Sequence, residues 1–116
     1  MGRKKAVIYS DGSCYGNPGR GGYGCIVKQG KNRTVLTGSV KRTTNNQIEL
    51  TAAIRGLEIV RPNSTVELCS DSQYVVNGIT TGLDRWKLNG WKRRTGESIT
   101  NKSLWQAYSD LVELKV

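Results

Sequence analysis

The chain has 116 residues, eighteen basic and nine acidic side chains, a net charge of +9 and no histidine. That length suits one domain with room for a core. The missing histidine excludes a Ser-His-Asp triad, a Cys-His pair, an imidazole zinc site and a histidine general base. The positive balance favours a polyanionic partner, nucleic acid first, against the plainer alternative of a solubilising surface charge. No apolar stretch approaches the roughly 20 residues that span a bilayer. The opening MGRKKAVIYSDGS has too short an apolar run for a signal peptide. Gly2 invites myristoylation, but Ala6 stands where that motif wants Ser or Thr. Cys14, Cys25 and Cys69 form no close pair, which suits a reducing, cytoplasmic setting and small packing residues rather than a disulfide framework.

In chain order, Lys5–Ser10 reads as a strand. Asp11–Gly22 reads as a glycine-rich loop with Asn17-Pro18-Gly19 as its turn. Gly22–Gln29 and Arg33–Val40 read as two further strands around Gly30-Lys31-Asn32, and such close joins predict a meander. Thr44, with Gln47 three residues on, fits a capping box. Leu50, Ala53, Ile54, Leu57 and Val60 then keep helical spacing until Pro62. Thr65–Ser70 is a fourth strand. Asp71 or Ser72 caps a short helix, Gln73–Asn77, closed by Gly78. A polar, tryptophan-bearing stretch follows, TTGLDRWKLNGWKRRTGES. The last helix spans about Asn101–Leu114, with Leu104, Trp105, Tyr108, Leu111 and Val112 on its apolar side.

Three acids stand out within apolar company. Asp11 follows the run AVIYS, Asp71 ends TVELCS, and Glu49 lies on the core side of its helix with Ala53 and Leu57. Burying charge is costly unless it is paired or binds metal. If the first and fourth strands are parallel neighbours, Asp11 and Asp71 lie together at the strand ends, where open α/β sheets place their sites. A helix start beside that end brings Glu49 to them. An all-oxygen set suits Mg²⁺ or Mn²⁺, and such a site suggests two-metal phosphodiester hydrolysis. Taken singly, the three acids also fit as a turn residue, a helix cap and a helix-dipole partner.

YSDGSCYGNPGRGGYG, TTNNQIELTAAIRGLE and LCSDSQYVVNGI resemble the three acidic motifs of type 1 ribonuclease H. DRWKLNGWKRR resembles that family's basic protrusion, and NKSLWQ the start of its next helix. The resemblance implies an α/β, three-layer fold: a three-strand antiparallel meander plus a parallel strand, with helices on both faces. It also implies hydrolysis of the RNA strand of RNA/DNA hybrids, leaving 5′-phosphate and 3′-hydroxyl ends. Asp11, Glu49 and Asp71 resemble the metal-binding catalytic acids, with the Gly12 backbone beside them and two ions bound alongside substrate. Asn17, Asn45 and Gln73 resemble minor-groove and 2′-hydroxyl contacts, bordered by Cys14 and Asn46. Arg42, Thr44 and Asn101 resemble a DNA-phosphate pocket. Trp86 and Trp91, with Lys87, Lys92, Arg93 and Arg94, resemble the groups that grip the DNA strand.

Amides that both donate and accept suit a 2′-hydroxyl, minor-groove edges give little base specificity, and cations supply salt-dependent affinity. Plainer roles stand beside these: packing for Trp86, Trp91 and Trp105, and helix capping for Asn45-Asn46. The family continues past its last helix with a fifth strand, a histidine loop and a fourth-acid helix. This sequence stops at LVELKV, and neither Asp110 nor Glu113 takes the fourth acid's role. A shortened fold is therefore expected, with an unpaired sheet edge that a second copy or a complementing strand would cover. A hybrid-binding module with little catalysis, or an incomplete fold needing a partner chain, are the alternatives to the enzyme.

Overall fold

The computed structural model describes residues 4–116, so Gly2 and Arg3 lie outside the described residues. Four strands form one mixed sheet in the order β3-β2-β1-β4. β1 is Lys4–Gly16, β2 Gly19–Gln29, β3 Asn32–Thr43 and β4 Ser64–Ser70. β1–β2 and β2–β3 are antiparallel, and β4 pairs parallel with β1. The meander and the parallel fourth strand stand as expected.

The glycine-rich segment does not form a loop. β1 runs on past Ser10 to Gly16, β2 begins at Gly19, and only Asn17-Pro18 turns. Residues Ser13–Gly16 pair with Gly19–Gly22, so the glycines sit in a ladder. A Cβ at Gly19 would collide with the Tyr15 carbonyl oxygen, so glycine is what lets the strands close there.

α1 spans Asn45–Ile59, and its N-cap Thr44 makes the reciprocal capping box with Gln47. α2 is Gln73–Asn77, capped by the Ser72 hydroxyl, which leaves the Asp71 carboxylate free of that duty. Gly78 does not end the helical path. The path widens into one π turn over Gly78–Gly82 and continues as α3, Leu83–Leu88. The Trp105 and Trp86 rings lie against Gly78 and Gly82, where a Cβ would meet them. These glycines make room for indoles instead of stopping a helix. α4 spans Lys102–Lys115.

Ala6 and Ile8 of β1, Val27 of β2 and Leu50, Ala53, Ile54 and Leu57 of α1 form the core, joined by Val75, Leu83, Trp105 and Tyr108. Among the described residues all four helices feed one core on one face of the sheet, so the helix layer expected on the second face is not present among them. Strand alternation puts Val7, Tyr9, Ile26 and Val35 on the other face. Tyr9 is 45% exposed there and Val35 55%, and no helix covers them among the described residues.

Candidate functional site

The last parallel pair between β1 and β4 is Ser10 with Ser70. Asp11 is therefore the next residue of β1, and Asp71 the first residue past the end of β4. β1 continues with only β2 beside it, so Asp11 sits within its strand rather than at the end, but at the level where β4 stops.

Gly12 brings the helix to this level. A Cβ on it would lie 2.9 Å from the Ile48 carbonyl oxygen and 3.1 Å from the Glu49 nitrogen. Real Cβ contacts do not get that close to backbone, so only glycine lets β1 touch α1 here. The next helical residue is Glu49.

Burial is the main cause that lifts the Glu49 carboxyl above its ordinary value of 4.5. The Gly12 amide opposes the rise, and the Asp11 and Asp71 charges add to it. The three acids therefore share one electrostatic neighbourhood. The Gly12 amide also donates to Asp11 Oδ1 at 3.0 Å. Glu49 Oε1 is buried and has no hydrogen-bond partner among the described residues.

The carboxylates do not form a closed cage. Among the described residues, no group of three His, Cys, Asp or Glu side chains stands ready to hold an ion. Asp11 and Asp71 are exposed side chains, and Glu49 is half-buried. The donors nonetheless fit a hard cation: all are oxygens, they repel one another, and one is an orphaned buried acceptor.

Around this point the other sequence-identified residues fall into three groups. In the first, the Asn17 side chain accepts from the Asn45 amide at 3.0 Å, tying the β1–β2 turn to the start of α1. Cys14 Sγ donates to the Thr43 carbonyl at 3.2 Å. Arg42, Asn45 and Asn46 are exposed beside Thr44, the α1 cap. In the second, Gln73 opens α2 two residues after Asp71, and its amide donates to Asn77 Oδ1.

The third group is the basic stretch. Trp86 packs on Trp105 in a tilted arrangement with ring centroids 5.2 Å apart, and Trp86 and Trp91 both pack against the core. Their packing role is real, and it fixes the chain that carries Lys92, Arg93 and Arg94, all exposed. Lys87 pairs with Glu113 at 3.5 Å, which holds it toward α4. Arg93 donates to the Thr100 hydroxyl.

Asn101 joins the first group only through Gln47, whose amide reaches it at 3.0 Å. Sequence reasoning took Gln47 for a capping residue alone and passed over Tyr74. Their partners lie 54 and 27 positions away, and no local pattern marks such pairs.

The three cysteines are free, and burial pushes the Cys25 thiol up, as befits a packing residue. No helix among the described residues is long and apolar enough to cross a membrane.

A family model described as RNase H matches residues 3–116. A ribonuclease H from Syntrophus aciditrophicus is 48% identical over 110 residues, covering 94% of this chain and 64% of the relative. One from Rippkaea orientalis is 47% identical, covering 93% and 67%. Among solved structures, LC9-RNase H1, a type 1 RNase H with the type 2 active-site motif, superposes with a TM-score of 0.79 at 30% identity. That match covers 97% of this chain and 59% of the other. The chain thus spans about two thirds of the length of the relatives it matches. Sheet order, the level shared by the three acids and these matches together make the chain a member of the RNase H family.

Proposed function

We propose that the protein is a divalent-metal-dependent endoribonuclease that hydrolyses the RNA strand of RNA/DNA hybrids to 5′-phosphate and 3′-hydroxyl ends. The observation that carries this reading is Glu49. Its carboxylate is raised by burial and by two neighbouring aspartates, and it keeps one buried oxygen without a partner among the described residues. A buried carboxylate oxygen crowded by two further acids is a natural donor for a hard cation. Asp11, Glu49 and Asp71 would hold the Mg²⁺ or Mn²⁺ ions, with the Gly12 backbone adjacent. When bound, such ions supply an activated water and stabilise the leaving oxygen.

The chain's own groups do the rest. Asn17, Asn45 and Gln73 offer amides to minor-groove edges and 2′-hydroxyls, with Cys14 and Asn46 at their border. Arg42, Thr44 and Asn101 hold a DNA phosphate. Trp86, Lys87, Trp91 and Lys92 line the path of the DNA strand, with Arg93 and Arg94 adding charge. Free thiols suit a reducing cytoplasm.

An end-labelled hybrid incubated with Mg²⁺ or Mn²⁺ tests the reading. Wild type should cut the RNA strand, and Asp11→Asn should lose at least about a hundredfold in rate, as expected for removal of a metal-holding acid. Binding without cutting at any protein concentration, with either ion, would instead favour a hybrid-binding module. The open carboxylate arrangement is the observation on that side.

A further inference from the structure

A chain of side-chain hydrogen bonds runs from the cap of α1 to the core tryptophan of α4. The Thr44 amide donates to Gln47 Oε1 at 3.2 Å. Gln47 Nε2 donates to Asn101 Oδ1 at 3.0 Å. Asn101 Nδ2 donates to the Tyr74 hydroxyl at 3.0 Å, and Trp105 Nε1 donates to the same oxygen at 2.8 Å.

Both ends of this relay are groups that can only donate, a backbone N–H and an indole N–H. The Thr44 end turns the Gln47 amide so that its nitrogen faces Asn101. Asn101 must then present its oxygen to Gln47 and its nitrogen to Tyr74. Neither amide can turn over alone without setting donor against donor or acceptor against acceptor along the relay.

Asn101 is the N-cap of α4, yet its side chain caps nothing, and its backbone is left-handed at φ 58°. An asparagine at that place ordinarily accepts from the first turn. Here the side chain is diverted into the relay. After both bonds, one Nδ2 hydrogen has no partner in the relay, because the amide nitrogen carries two.

We propose that Gln47 and Tyr74 are positioning residues for phosphate recognition: they hold the Asn101 amide in one orientation so that its remaining Nδ2 hydrogen donates to a backbone phosphate oxygen of the bound nucleic acid. This rests on the phosphate-pocket reading of Asn101 above. The relay also explains why a residue on α4 works with Arg42 and Thr44 on β3 and the α1 cap: Gln47 spans the gap.

Gln47→Glu is the informative substitution. Glutamate keeps the length and still accepts from the Thr44 amide, so the capping box survives. It puts an acceptor against Asn101 Oδ1 and forces that amide to turn over. Tyr74→Phe breaks the other end without adding charge. The readout is the affinity of metal-free protein for a short RNA/DNA hybrid in chelator, with melting temperature measured alongside.

Asn101→Ala and Gln47→Glu should each weaken binding by roughly tenfold, the scale of one hydrogen bond to a charged group. The double variant should be no weaker than Asn101→Ala alone, because Gln47 acts through Asn101. Tyr74→Phe should weaken binding in the wild-type background and not in Asn101→Ala. Losses that multiply in the double variant would mean plain charge repulsion by Glu and would overturn the relay while sparing the phosphate pocket. Unchanged affinity in both Gln47→Glu and Tyr74→Phe would overturn it too. Unchanged affinity in Asn101→Ala would remove the pocket itself, and the relay with it.

Discussion

Gly12 and Glu49 are adjacent in space because one of them lacks a side chain. Gly12→Ala places a methyl 2.9 Å from a helical carbonyl, and neither the strand nor the helix backbone can yield cheaply. It should cost about 1–3 kcal/mol, the usual scale of overpacking, measured as a drop in denaturation midpoint, and hybrid cleavage should fall as Glu49 is displaced. Glu49→Gln should do the reverse to stability. The folded-state carboxyl sits above its ordinary value, so the fold holds that proton more tightly than the unfolded chain does. Stability then rises as pH falls through the raised value, and above it the fold carries the cost of the charge. Near neutral pH, in chelator, Glu49→Gln should therefore melt higher than wild type. The gap should shrink as the pH approaches 4.5, the ordinary value; a gap independent of pH would contradict this account. The identity of these acids was visible in the chain because charge in an apolar run is conspicuous. The Gln47–Asn101–Tyr74 relay was not, because each member is an ordinary polar residue until the fold brings them together.

Among the elements, α1 was the most readable, since its cap, its apolar spacing and its proline stop all agree. Removing the cap tests that local logic. Thr44→Ala should cost about 1 kcal/mol, the usual loss for a missing N-cap oxygen, seen in urea denaturation. Its backbone N–H, and so that end of the relay, remains. β1 was readable only as far as Ser10, because the glycines beyond it look like turn residues. What makes Asp11–Gly16 a strand is its partner Gly19–Gly24, and pairing of that kind is a tertiary fact. The same blindness affected Gly78, read as a helix stop, and hid the role of Gly82. A helix-stop reading is reasonable for an isolated segment, but Trp105 and Trp86 pack onto their bare Cα atoms, and packing overrides propensity. The tryptophan-bearing stretch could not be parsed without that contact.

At the scale of the whole molecule, Tyr108 reports on the single core. It is 5% exposed, and burial pushes its hydroxyl up from 10.0 to about 12. Folding favours the neutral phenol, so this contribution is intact below pH 10.0 and is lost as pH rises through about 12. Two pH units correspond to roughly 2–3 kcal/mol. Denaturation midpoints should fall across that window, and Tyr108→Phe should flatten the fall. The molecule also sets a knot of mutually repelling acids inside a surface whose net charge is +9. Phosphate is drawn to the surface and refused at the knot, while a cation is drawn to the knot and refused by the surface. Each ligand removes the other's obstacle. By thermodynamic reciprocity, whatever factor a divalent ion adds to the affinity for a nucleic-acid strand, the strand must add to the affinity for the ion. A strand-free protein would then hold its ions weakly, and the pair would assemble as a unit.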